Sequence, residues 1–357
     1  MKQDVLHTRR RAILRPTLRA TYITVVQSTV IVVVVLFLLG VFSNPKRVNL
    51  QILPVKIHES EEIDDNDVGS DIIMGFASGY KLRDVSFFIE SGLRCTKAHF
   101  ILFVNSLDDM LGEITHHPRV VFVPILDMGA FHSNPVIQRF YVYDAWLKGF
   151  NQSAVGFHLR RILLTDVRDV FFQGDVFEPM TAPGIHVFDE GILLRDEPHY
   201  NHGWIRDCQL GGDNVLMRLF DRPIYNGGII GATNMDLMLA FLKDMFKGLD
   251  VGCNDQGWLN VLVSTPSVRS VAIHAHNLTN TGDSWVANCL IHVSDKHTAP
   301  VLIDTGERLV NPQGTRVYAL IHQGDRYQEV WALRTLQNRS IVTTPLMPLR
   351  PFYDFAY

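Results

Sequence analysis

The sequence predicts an α/β domain with a mostly parallel sheet flanked by helices, preceded by an N-terminal transmembrane helix. Three observations carry this expectation. Residues 21–42 (TYITVVQSTVIVVVVLFLLGVF) contain no charge. From residue 71 onward, short apolar runs alternate with amphipathic stretches, the pattern of parallel strands joined by helices. The roughly 285 residues after the stem are ample for one cored domain, and no internal repeat divides them.

The uncharged stretch comes first. About 20 apolar residues span a bilayer core as a helix, so residues 21–42 are long enough. The rival is a cleaved signal peptide, whose apolar part usually runs only about 7–15 residues before a small-residue cleavage site. Here the run is longer, and Asn44-Pro45-Lys46-Arg47 follows it. A signal anchor is therefore expected. The first 20 residues carry six basic side chains (Lys2, Arg9, Arg10, Arg11, Arg15, Arg19) against one acid, Asp4. By the positive-inside rule this tail is cytoplasmic and the rest lumenal, a single-pass type II arrangement in the Golgi or endoplasmic reticulum membrane.

Removing the tail's six bases and one acid from the chain's 33 and 37 leaves 27 and 36, a formal charge of −9. Such a balance disfavours nucleic acid as a partner. Three sequons, starting at Asn151, Asn277 and Asn338, agree with lumenal exposure. Four cysteines, Cys95, Cys208, Cys253 and Cys289, allow up to two disulfides in that compartment, and their three full pairings stay open.

Residues 43–70 read as a stem: Pro45 and Pro54 interrupt regular structure, and residues 59–67 (ESEEIDDND) have little to bury. In the domain, 71–357, strands are expected at 72–77, 99–104, 120–125 and 161–165. Helices are expected at 81–93, 107–115 and 135–148. Ligands of such sheets bind outside the carboxyl ends of the strands. That directs attention to Ala77 to Tyr80, Asn105, Leu126-Asp127 and Asp166 to Asp169.

The most informative stretch is residues 160–177 (RRILLTDVRDVFFQGDVF). A buried strand there ends in Thr165-Asp166-Val167-Arg168-Asp169. Two carboxylates at such an exit suit a hard divalent cation, Mg²⁺ or Mn²⁺, carrying a diphosphate. On a regular strand Asp166 and Asp169 would face opposite sides, so a turn at Val167-Arg168 has to bring them together. Otherwise Asp166 caps a turn or pairs with Arg168 or Arg161, and Asp169 alone meets the ion.

Downstream lie Tyr225-Asn226-Gly227-Gly228-Ile229-Ile230-Gly231 and Asn254-Asp255-Gln256-Gly257-Trp258-Leu259-Asn260. Glycines on a strand admit close approach, and amide and carboxylate groups bond hydroxyls. The plainer readings are a bulge at Gly227-Gly228 and Asp255 as the N-cap of a helix over 256–263. The apolar strand 317–321 ends in His322, whose imidazole Mn²⁺ tolerates beside oxygen ligands. Other histidines, including His116-His117 and His274-Ala275-His276, lack zinc spacing and read as ordinary. Arg139, on the 135–148 helix, is within reach of a phosphate and reads as a surface arginine. No P-loop, GxSxG or paired CxxC motif occurs.

Together these motifs resemble the GT-A (Rossmann-like) glycosyltransferases, which carry a DxD-type motif at a strand end before a short apolar run. The asparagine–glycine segment and the Asp-Gln pair are similar to those of retaining, glycogenin-like families. The resemblance covers about 250 residues, with some twenty diagnostic positions. It departs at the first Asp of D-x-D, which falls on Val167 while the acid is Asp166. It implies a metal site of Asp166, Asp169 and His322, and donor contacts at Ala77, Tyr80, Asp166 and Arg168. Catalytic roles fall to Asn226, Asp255 and Gln256. The implied reaction is metal-dependent transfer, with retention, of a sugar from a nucleotide-diphosphate donor, a UDP-sugar, to a glycan, glycoprotein or glycolipid. The alternative is a non-catalytic sugar or nucleotide-sugar binding module of the same fold.

Overall fold

The computed structural model describes residues 70–125, 134–152, 159–278, 283–289, 302–303, 308–311 and 313–323. The expected anchor at 21–42 and nearly all of the stem lie outside these residues. No helix among the described residues is long and apolar enough to cross a membrane.

The first half alternates strand and helix as its hydrophobic pattern demands. β1 (Ser70–Phe76), α1 (Leu82–Cys95), β2 (His99–Val104), β3 (Val120–Pro124), α2 (Pro135–Gln152) and β4 (Leu159–Thr165) follow in order. β2 is buried along almost its whole length, as are the centre of β1 and the C-terminal half of β4, and both faces of the sheet are covered. Asp84 fixes the start of α1 by accepting the Lys81 N–H at 2.9 Å. The helix expected at 107–115 is instead two 3₁₀ turns, Asp108–Met110 and Glu113–His116. Gly112 breaks the run in extended backbone at φ 167°, pressed so close to Leu82 that a Cβ would lie 2.4 Å from it.

After β4 the chain makes β5 (Val170–Phe172), β6 (Ile185–Leu193), the short helices α3 (Asn201–Arg206) and α4 (Asp213–Leu219), and β7 (Pro223–Ala232). Then come α5 (Met235–Leu249), α6 (Asp255–Ser264), β8 (Ile273–His276), β9 (Val286–Asn288), the small pair β10 (Leu302–Ile303) and β11 (Leu309–Val310), and β12 (Leu320–His322). The main sheet has the order β3-β2-β1-β4-β7-β6-β8, with β7 alone antiparallel to its neighbours.

Two features position the site. Strands β1 to β3 build outward on one side, whereas β4 returns to the other side of β1. That reversal opens a crevice at the carboxyl ends of β1 and β4. The second is a three-stranded sheet, β5-β12-β9, laid beside it. Its register sets His322 opposite both Val170 and Asn288. Phe88, Phe100 and Phe172 meet under this junction at centroid distances of 5.5 to 6.2 Å. Gly92 makes the space: a Cβ there would lie 2.3 Å from the Phe100 ring.

Candidate functional site

A cleft of about 720 Å³ opens at the switch point, within the range of small-molecule sites. The chain leaves β4 at Thr165 and bends through residues 167–169 before β5 begins. This bend is the turn that the acidic motif requires. Val167 fills the inside of it, buried against Gly75, where a Cβ would lie 2.2 Å from the valine methyl. Asp166 and Asp169 consequently point to the same place. One ligand atom from each, together with one from His322, falls within a 4.8 Å span.

His322 is fully buried. Its Nδ1 lies 2.9 Å from Asn288 Oδ1, and the Asn288 amide donates to the carbonyls of Asp189 at 2.9 Å and Phe188 at 3.3 Å. Those two acceptors fix the amide's orientation, so Oδ1 faces the ring and Nδ1 carries the proton. The Nε2 lone pair then faces Asp166 Oδ2 at 3.2 Å and Asp169 Oδ1 at 3.8 Å. A lone pair and two carboxylates facing one another call for a cation between them, a metal ion or a proton on Nε2. Two hard oxygens and one borderline nitrogen fit Mn²⁺, and Mg²⁺ less well.

Arg139, expected at the surface, is buried in the site with 11% of its side chain exposed. α2 runs beneath the cleft, and an unpaired guanidinium there would be prohibitive. It bonds Asp166 through Nη1, and through Nη2 it reaches Asp255 Oδ2 at 2.6 Å and the Gly227 carbonyl at 2.9 Å. Burial opposes ionisation of Asp166, but the Arg139 charge and the His322 contact outweigh it and hold the carboxyl below its ordinary range. Burial raises Asp255 above its ordinary value, and Arg139 only partly offsets this. Arg161 pairs with Asp71 at 2.6 Å and takes no part.

β7 supplies the far wall. Val187 pairs with Ile230 but Asp189 with Tyr225, so residues 226–229 face a single residue of β6. The expected bulge at the glycines is real, and it carries Asn226. Asn226 Nδ2 donates to Glu190 at 2.7 Å, and its Oδ1 accepts the Gly228 N–H at 2.6 Å. Gln256 accepts the Gly227 N–H at 3.2 Å and donates to Glu190 and Asn201, each at 3.2 Å. Asn254, not Asp255, caps α6, accepting the Gln256 N–H at 3.0 Å. That leaves the Asp255 side chain to Arg139.

Of the residues expected in the site, Tyr80, Asp166, Arg168, Asp169, Asn226, Asp255 and Gln256 line the cleft, and His322 lies buried beneath the acids. Ala77 does not reach it: the residue is fully buried, and its N–H is committed to the Phe103 carbonyl at 2.7 Å. Burial raises the Tyr80 phenol, countered by Arg168. The sequence reading weighed Arg139 for a phosphate but left it at the surface, and it missed Glu190, Asn288, Tyr200, Trp204 and Gln323. Of these five only Glu190 left a trace, as the second of two acids following the strand-like run 185–188. Gln323 lines the cleft in the left-handed region at φ 59°, and its buried side-chain oxygen has no hydrogen-bond partner among the described residues. His186, His274 and His276 stack between β6 and β8 at ring distances of 5.1 and 5.2 Å. No protein-family model matches the chain, and no curated protein matches its sequence at a significant level.

Proposed function

We propose that this chain is a metal-dependent glycosyltransferase that moves a sugar, with retention, from a nucleotide-diphosphate donor to a glycan-type acceptor. The observation that carries the reading is the convergence of Asp166, Asp169 and His322 at the switch point of the sheet. A divalent ion bound there would supply charge neutralisation to the departing diphosphate.

The chain's own groups do the rest. Asn288 holds the His322 ring in the tautomer that presents Nε2. Arg139 keeps Asp166 ionised and ties Asp166 and Asp255 to one guanidinium. Asn226 and Gln256 both donate to Glu190 Oε1, and the three hold the shape of the wall at the sugar end. Tyr80 and Arg168 flank the acids on the phosphate side. The same reading places the cleft in the Golgi or endoplasmic reticulum lumen, behind the uncharged anchor at 21–42.

One observation favours the alternative of a non-catalytic binding module. Asp166 already has a partner in Arg139, which competes with an ion. A single experiment separates the two. Donor turnover of the full chain is followed across a Mn²⁺ titration, alongside Asp169→Asn, which keeps the side-chain volume but replaces an anionic ligand with a weaker neutral one. Loss of roughly 10²–10³ in rate with an unchanged melting temperature is expected. Wild-type turnover at the same metal midpoint would end the transferase reading, and absence of turnover by the wild type, with donor bound, would select the binding module.

A further inference from the structure

Part of the cleft's lining is not used by the metal site. There Tyr200, 53% exposed, and Trp204, on α3, present a pair of rings 5.6 Å apart and tilted by 33°. Large aromatic side chains are seldom left open inside a polar cleft unless a ligand covers them.

This pair is held rigidly. Glu197, itself buried, accepts the N–H groups of Tyr200 at 3.2 Å and Asn201 at 2.9 Å. α3 sits directly on the start of α6. A Cβ on Gly257 would lie 2.8 Å from the Trp204 carbonyl, and Asn201 bonds Gln256. The Cys208–Cys253 disulfide ties the segment just after α3 to the residue before Asn254. Asn254 also lines the cleft. Its Oδ1 is committed to capping α6, whereas no bond to its amide N–H groups occurs among the described residues.

A tilted pair of aromatic rings and an amide donor lining the same cleft match one small-molecule chemistry. A pyranose offers a face of C–H groups to the electron-rich side of aromatic rings, and offers hydroxyls to an amide. We propose that Tyr200 and Trp204 form a stacking platform for a pyranose ring of the acceptor, with the Asn254 amide donating to one of its hydroxyls. The role as acceptor site rests on the transferase reading, but the binding does not. A nucleobase would stack on the same rings. It would then belong to the donor, and the experiment treats it as a competitor.

The full chain, in a detergent without a sugar headgroup, is titrated with methyl β-D-galactopyranoside, methyl β-D-glucopyranoside and methyl α-D-mannopyranoside. Saturation-transfer NMR and tryptophan fluorescence give the readouts, and Mn²⁺ binding is measured in parallel by water-proton relaxation. At least one glycoside is expected to bind with its ring C–H groups saturated. Tyr200→Ala and Trp204→Ala should each weaken it by about tenfold or more. Tyr200→Phe should keep it. Asn254→Asp, which retains a capping oxygen but loses the donor, should weaken it while leaving the melting temperature in place. Mn²⁺ binding should be unchanged in all four. The proposal is overturned if no glycoside of the panel binds, if the alanine variants bind as the wild type does, or if UMP displaces the glycoside. Glycoside binding in a protein that neither binds Mn²⁺ nor turns over donor would sink the transferase reading and leave the platform standing.

Discussion

Gly228 is the residue around which the candidate metal site closes. A Cβ at this position would lie 2.5 Å from Asp166 Oδ2 and 2.8 Å from both Asn226 Oδ1 and the His322 ring. The neighbouring Gly227 is less confined, its nearest contact being Asp255 Oδ2 at 3.2 Å. Alanine at 228 must therefore push Asp166 away from His322, at a cost of roughly 1–3 kcal/mol for overpacking. Alanine at 227 need only nudge a carboxylate that Arg139 already restrains. Gly228→Ala is expected to weaken Mn²⁺ binding by about tenfold or more, and Gly227→Ala to change it little. Titrating both variants with Mn²⁺ checks this, and equal affinities would mean that the acids do not hold the ion. Arg139 makes the converse point. Its sequence surroundings are those of any exposed arginine on an amphipathic helix. Its importance comes from Asp166 and Asp255, which are 27 and 116 residues away and invisible to local pattern.

At the scale of elements, the parallel half of the sheet was legible because its strands are apolar runs of ordinary length, and β1, β2, β3 and β4 begin and end within two residues of expectation. The acidic pair at the exit of β4 was legible for the same reason, since a strand end is a local event. What failed depended on neighbours. The 107–115 segment has helical residues but is broken where Gly112 meets Leu82, and Ala77 sits at a strand end yet turns inward. The β6–β8 pairing was equally hidden, and it makes a pH prediction. Burial pushes Asp189 on β6 up to about 6. Burial also holds His186 and His276 well below the ordinary imidazole range, each lowered further by a neighbouring ring. The two effects have opposite signs. A carboxyl raised in the folded state makes the protein lose stability as pH rises from about 4 through about 6, whereas lowered histidines make it lose stability as pH falls below about 6.5. Comparison with Asp189→Asn isolates the first effect, because the asparagine oxygen can still accept the Leu278 and Gly191 N–H groups. Between pH 5 and 7 the variant should gain about 1 kcal/mol relative to the wild type. Urea unfolding at the two pH values measures it, and a constant difference would show that Asp189 titrates normally.

For the whole molecule, the two sides of the cleft, the sheet on one side and α3, α4 and α6 on the other, are secured in different ways. The sheet side holds Asp166, Asp169 and His322 through strand pairing and an aromatic core. The side made of α3, α4 and α6 is built from helices of six to ten residues, too short to be stable without packing. The Cys208–Cys253 disulfide, with a sequence separation of 45, joins the end of α3 to the start of α6. It is one of the pairings the sequence left open, and it fits the oxidising lumen expected behind the anchor. This division of labour leads to the last prediction. Replacing both cysteines by serine should cost about 2–5 kcal/mol of stability, because the unfolded chain regains the freedom of a long loop. The loss should fall unevenly. α3 should loosen from α6, raising amide exchange over residues 200–212, while Mn²⁺ binding at Asp166, Asp169 and His322 stays at the wild-type value. Guanidinium unfolding, hydrogen exchange and a Mn²⁺ titration of the double serine variant read the three quantities. Reductant added to the wild type should reproduce all of them. Loss of Mn²⁺ binding in a variant that remains folded would show that the two sides of the cleft are one mechanical unit and that the disulfide supports the metal site itself.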